Sequence, residues 1–177
     1  MTHELRDEIP SPAQIAAAWR RELPGARTES IEILTPLWRV AKLLTDERQR
    51  TLQRLGIDES TLDLLSTLRR SGPPYQLTTR QIAARSLVTA GAISQRLTRA
   101  ETAGLITRAP TSATRRGVLV TLTPEGHRLT ERVVPALLDH ETTLTDRLPA
   151  DQRAALTAAL HTLADAIRST GAGDAAG

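Results

Sequence analysis

The chain contains no cysteine and no phenylalanine. Without cysteine there is no disulfide frame, no thiolate metal site and no thiol-based redox sensing. Its aromatic residues are Trp19, Trp38 and Tyr75, too few to build the stacking platforms on which single-strand binders lay bases. No apolar run approaches the roughly 20 residues that cross a bilayer. The amino terminus, MTHELRDEIP, is polar and acidic and lacks the basic-then-apolar order of a secretory leader. A cytoplasmic protein with no membrane partner is therefore expected. Lysine is nearly missing too: Lys42 is the only one among 23 basic residues.

What is present is arginine, and its placement is uneven. Residues 69–116 hold nine arginines (69, 70, 80, 85, 96, 99, 108, 115 and 116) and a single acid, Glu101. That block carries +8 in a chain of net +3, so the remainder is at −5. A basic centre within an acidic remainder is the electrostatic footprint of nucleic-acid binding. With 177 residues and 40% hydrophobic content, the chain is long and apolar enough for one sizeable core. The histidines, His3, His127, His140 and His161, show no metal-ligand spacing. Phosphate loop, dinucleotide fingerprint and nucleophile elbow are likewise missing. No enzyme, metal or cofactor is expected.

Periodicity predicts a mainly helical chain. A short helix spans 12–22, starting at Pro12 and ending at Leu23-Pro24-Gly25. A long amphipathic helix covers 29–54, with Ile31, Leu34, Trp38, Ala41 and Leu44 on one stripe. Pro36 either bends it or marks its true start. Ser60-x-x-Asp63 is read as the start of a helix running to about Arg70, and Thr78-x-x-Gln81 as a capping box opening another to about Arg85. After a break at Leu87-Val88, Thr89 caps a third helix that ends near Gly104. Leu105–Arg108 and Gly117–Thr123 alternate like the strands of a hairpin. A helix from Thr123-Pro124 to about Leu148 follows, with Pro135 inside. The last helix starts at Pro149 and carries Leu156, Leu160, Leu163 and Ile167 on one stripe. The tail, 170–177, reads as flexible.

On the third helix of the arginine-rich block, Ile93, Leu97 and Ala100 share one face. Gly91, Gln95, Thr98 and Arg99 lie roughly 140–240° around the helix from it. Glutamine can read adenine with two hydrogen bonds, and arginine can read guanine or grip phosphate. Ser94 on the shoulder could reach phosphate, Gly91 allows close approach, and Thr79 and Thr89 are counted among the DNA-binding residues. Arg115 and Arg116 tip the hairpin, where phosphate or the minor groove would be their partner. The expected fold is thus mainly α with a small β-hairpin wing, a winged helix-turn-helix that binds double-stranded DNA.

These residues resemble the MarR family of bacterial regulators over roughly 29–168. The resemblance is carried by LTTRQIAARSLVTAGAISQRLTRAETAGLITR and by TRRGVLVTLTPEG. Family wings usually read Asp-x-x-Asp-Arg-Arg-Gly before Val-x-Leu-Thr-x-x-Gly. Here Arg115-Arg116-Gly117 and Val120-x-Leu122-Thr123-x-x-Gly126 are kept, while Thr111 and Thr114 replace the aspartates. The resemblance implies a homodimer on a pseudo-palindromic operator. It also implies this organisation: an N-terminal extension with a short helix (1–28), a helical dimerisation region (29–56 and 124–169), and a winged helix-turn-helix (57–123).

The chain further resembles the urate-responsive, PecS-like branch, through an added N-terminal helix with a tryptophan, an Asp–Arg pair before the reading head and an arginine within it. Trp19, Asp63, Arg70 and Arg96 match those places, which implies a small anionic ligand such as urate and a repressor released by it. Asp63 and Arg70 share a helix face about 10 Å apart along the axis, and Arg96 lies on the shoulder between core and DNA face. The same residues also fit plainer roles. Arg70 suits its helix C-terminus, Asp63 its helix start, and Arg96 a pair with Glu101 or with an acid of a second subunit. Trp19 suits a core. A phenolic or organic acid ligand, a DNA binder without small-molecule input, and a winged helix that contacts protein are the other readings of the chain.

Overall fold

The computed structural model describes residues 9–86, 90–110 and 117–173. It divides into two compact units, residues 1–56 and 57–177. The first is a helix pair. α1 (Pro12–Glu22) is opened by a complete capping box: Gln14 N donates to Ser11 Oγ (3.2 Å) and Ser11 N to Gln14 Oε1 (2.7 Å). Its buried residue, Ala16, lets it pack closely against α2 (Ile31–Arg54). Pro36 lies inside α2, which already begins at Ile31. The expected stripe on α2 is largely exposed, with Trp38 at 70% and Leu44 at 50%.

The second unit is built on α3 (Glu59–Arg69), α4 (Thr79–Ser86), α5 (Ala90–Thr102), α6 (Pro124–Thr145) and α7 (Ala150–Gly173). A three-stranded antiparallel sheet accompanies them: β1 (Gln76–Thr78), β2 (Ile106–Pro110) and β3 (Val118–Leu122), in the order β1-β3-β2. The hairpin expected from the sequence is β2–β3, with Ile106 opposite Leu122 and Arg108 opposite Val120. β1 has no counterpart in the sequence pattern. It buries a single side chain, Leu77, opposite Val120, and three residues are too few for a period of two to show.

Helix starts follow side-chain chemistry, with one correction. α3 is capped by Asp58 rather than Ser60. The Asp58 carboxylate accepts from Thr61 N (3.0 Å) and from the hydroxyls of Thr61 and Ser60. A carboxylate two residues earlier is the stronger acceptor, so it takes the cap and leaves Ser60 inside the helix. α4 has the expected box, Gln81 N donating to Thr78 Oγ1 (3.2 Å) and Thr78 N to Gln81 Oε1 (2.8 Å). Gly104, at φ +70°, ends α5.

At the start of α6, Thr123 Oγ1 accepts from Gly126 N (3.1 Å) and donates to the Gly104 carbonyl (2.7 Å), stitching the helix to the end of α5. Gly126 explains the glycine of that motif: a Cβ there would sit 2.2 Å from the Leu105 carbonyl oxygen. α6 ends at Thr145, short of Leu148. α7 continues to Gly173, past the point where the sequence suggests a loose tail. Its stripe is uncovered, with Leu156 at 48% and Ile167 at 63% exposed.

One core holds α3, α4, α5 and the sheet together: Leu64, Leu65 and Leu68 of α3 meet Ile82, Ile93, Leu97, Ile106 and Val120. α6 docks on α3 and buries Val133 and Leu137, and a polar cluster joins its first turns to the end of α3. Arg69 donates to Nδ1 of His127 and to Glu131 (2.8 Å) and lies over the Tyr75 ring at 5.0 Å, while Tyr75 and His127 meet edge to face. Among the described residues no helix is long and apolar enough to cross a membrane.

Candidate nucleic-acid interface and effector site

α5 presents the faces that its periodicity predicts. Ile93, Leu97 and Ala100 are buried, while Gly91, Ser94, Gln95, Thr98 and Arg99 are exposed. Thr79 is half-buried at the start of α4. Thr89, Thr111, Thr114, Arg115 and Arg116 lie outside the described residues, as does the break at Leu87-Val88. α4, α5 and the sheet enclose an open pocket of about 500 Å³, lined by Thr79, Ser94, Arg80 and Arg108 among others.

Side-chain hydrogen bonds fasten α5 to β2 and to α3. Glu101, at the end of α5, accepts from Arg108 Nε (2.8 Å) on β2. That hydrogen bond holds the Glu101 carboxyl below its ordinary value and raises the arginine. Arg99 Nη2 donates to Ser60 Oγ (3.3 Å) on α3. Asp58 beside it is held at about 2: burial pushes its carboxyl up, but the hydrogen bonds from Ser60 and Thr61 and the charge of Arg99 outweigh that.

One turn before Arg99, Arg96 Nη1 lies 3.2 Å from Asp63 Oδ2. Two of the four ligand candidates are therefore in direct contact, across α3 and α5. Arg96 pairs with Asp63, and Glu101 takes Arg108 instead. Arg70 is the C-cap of α3, exposed, with no side-chain partner among the described residues. Trp19 stands on α1 in the first unit, half exposed.

The charge of the basic block is partly spent within the fold. Arg69, Arg96 and Arg108 are paired with Glu131, Asp63 and Glu101. Arg70, Arg80 and Arg85 have no ion-pair partner among the described residues and are exposed. Arg80 is a candidate that the sequence reading misses. Its signal is there: it directly follows the first residue of the capped α4, where a helix start already favours phosphate.

A half-exposed helix with a polar outer face, set on a preceding short helix and followed by a β-hairpin, defines a winged helix-turn-helix DNA-binding protein. The MarR family model matches residues 55–117. The HTH-type transcriptional regulator PecS of Dickeya dadantii (strain 3937) is 30% identical over 148 residues, covering 84% of this chain and 89% of that protein. Sco3205, a MarR family transcriptional regulator from Streptomyces coelicolor solved in complex with DNA, is similar at 26% identity and a TM-score of 0.70. The likeness covers 80% of this chain and 93% of that one. AbsC, a MarR family transcriptional regulator from the same organism, is similar at 25% identity and a TM-score of 0.69, covering 81% and 97%. The chain belongs to the MarR family of transcriptional regulators, in its PecS-like branch. These relatives are transcriptional regulators, not enzymes.

Proposed function

We propose that the chain is a cytoplasmic, homodimeric repressor that binds a pseudo-palindromic operator and is released from it by a small anionic ligand, urate or a related purine. Gly91, Ser94, Gln95, Thr98 and Arg99 of α5 read the major groove, with Thr79, Thr89 and the wing arginines Arg115 and Arg116 on the flanking backbone. Gln95 and Arg99 carry sequence preference and the rest position the protein. Arg80, exposed and without an ion-pair partner among the described residues, joins the phosphate set. Residues 57–123 form the DNA-binding region. The uncovered stripes of α2 and α7 supply the dimer surface, since exposed rows of leucine with Trp38 and Ile167 need a partner to leave water. The expected ranges 29–56 and 124–169 extend to Gly173 on this reading.

The observation that carries ligand control is the Asp63–Arg96 ion pair. A ligand bound by Asp63 and Arg70 competes with Arg96 for Asp63 and frees Arg96 to turn to the anionic edge of the ligand. Trp19 joins this set on the family resemblance alone. Arg96 belongs to the reading helix, so the ligand interacts differently with the DNA-competent arrangement and with the displaced one, as effector control requires. Urate supplies N–H groups for Asp63 and carbonyls and a negative charge for the arginines.

Fluorescence anisotropy on operator DNA, titrated with urate and xanthine, tests this reading. Affinity should fall at least about tenfold at saturating ligand; unchanged DNA affinity would rule out ligand control of this kind. In a salt series without ligand, Arg80→Ala should weaken binding to all sequences and flatten the slope of log K against log salt by about 1.

A further inference from the structure

The face of α3 that carries Asp63 and Arg70 holds two more polar residues between them, the half-buried Ser66 and the buried Thr67. Thr67 is four residues after Asp63 and three before Arg70, so at about 100° per residue the three form a narrow stripe. Thr67 is 2% exposed, and its Oγ1 has no hydrogen-bond partner among the described residues. A helical threonine can satisfy its hydroxyl by donating to the carbonyl four residues back. This chain does so elsewhere: Thr45 donates to Ala41, Thr130 to Gly126, Thr142 to Leu138 and Thr157 to Arg153. Thr67 has the Asp63 carbonyl in the same relation and does not use it. A buried hydroxyl without a partner is destabilising, and valine would fill the same shape without that cost.

We propose that Thr67 is a ligand-binding residue, the middle group of a row, Asp63 carboxylate, Thr67 hydroxyl, Arg70 guanidinium, that reads one edge of a planar heterocycle. The inference rests on the effector site on α3 proposed above and narrows its ligand class. Asp63 requires an N–H donor, Arg70 requires a carbonyl or anionic acceptor, and the hydroxyl between them serves either. Axial steps of about 6 Å and 4.5 Å separate the three along the helix. An oxopurine, or another ring that alternates N–H with C=O, answers all three. A benzoate places its acceptors at one end, satisfies an arginine, and leaves both the hydroxyl and the carboxylate unanswered. Rejection of such a ligand follows from the Asp63 carboxylate, which it would bury without a partner; the Thr67 hydroxyl is buried with or without it. Because Thr67 is buried, its hydroxyl is reached only when the surface around it opens. The Asp63–Arg96 pair, one turn away and partly exposed, is the polar contact that gives way, which joins recognition at Thr67 to movement of the reading helix.

The experiment compares the full-length wild type with Thr67→Val and Thr67→Ser by calorimetry, using urate, xanthine and salicylate as probes, with melting curves taken before any is added. Thr67→Val should melt at or above the wild-type temperature, bind urate about tenfold more weakly, and bind salicylate as the wild type does. Thr67→Ser should keep urate binding within about twofold. Urate binding by Thr67→Val at wild-type strength would overturn the role of Thr67 while leaving the effector site standing. A wild type that binds neither urate nor xanthine defeats the site itself. If valine does not fold, Thr67→Ala read against Thr67→Ser gives the same comparison, and equal urate binding by the two overturns the proposal.

Discussion

Arg96 Nη1 and Asp63 Oδ2 are 3.2 Å apart, and this bond joins α5 to α3. The two side chains are 21% and 38% exposed, so neither is fully desolvated. Such a pair contributes modestly to stability, about 1 kcal/mol. Its importance is positional: it connects Asp63 to an arginine that lies between the core face and the exposed polar face of α5.

Breaking that pair should separate stability from control. In a cycle of Asp63→Asn, Arg96→Gln and the double variant, urea unfolding should give a coupling of about 1 kcal/mol. Asp63→Asn should also hold operator affinity within about threefold and lose most of its urate response. A variant that releases DNA on urate addition as the wild type does would remove Asp63 from the effector site.

Gly126 gives a prediction whose sign opposes helix propensity. Inside a helix, glycine to alanine normally stabilises by up to about 1 kcal/mol. Here a new Cβ would meet the Leu105 carbonyl oxygen at 2.2 Å and Leu122 Cδ1 at 2.8 Å. The backbone of the loop before β2 cannot yield as a flexible side chain would. Gly126→Ala should therefore destabilise by about 2–3 kcal/mol, read as a lower urea midpoint at unchanged slope. A variant as stable as the wild type would mean that α6 can move off β2 at little cost.

Asp58 sets a pH window for the start of α3. Its carboxyl titrates at about 2 in the fold, below its ordinary value of 3.8. A depressed folded value means stabilisation that is complete above about pH 4 and lost as pH falls through about 2. The stability gap between wild type and Asp58→Asn should thus shrink as pH is lowered from about 5 towards about 2, followed by thermal melts. Asparagine keeps the cap to Thr61 N, which isolates the charge. A gap that stays constant across that range would show that the carboxylate charge contributes nothing.

Where the sequence was legible, the signal was local. The capping box of α4 is a case in point: Thr78 and Gln81, three residues apart, satisfy each other's backbone groups and start the helix wherever it goes. The buried row Ile93, Leu97 and Ala100 needs only the helical period to appear, and it sets which side of α5 faces outward. Ser60 misleads because two acceptors compete for one cap and Asp58 is the stronger. β1 is silent because a strand with one buried residue has no pattern of its own; its partner β3 supplies the pairing.

The chain by itself determined the helices, their outward faces, the wing strands β2 and β3, and a cluster of arginines in the middle. It did not determine how much of that charge remains free. Asp63 reaches Arg96 across 33 residues and Glu131 reaches Arg69 across 62, so acids missing from the basic block in sequence return to it in space. Local structure depends on neighbours three or four residues away, whereas an ion pair depends on which helices a shared core brings side by side. Only that packing decided that Arg96 is held and that Arg70, Arg80 and Arg85 are left to face solvent.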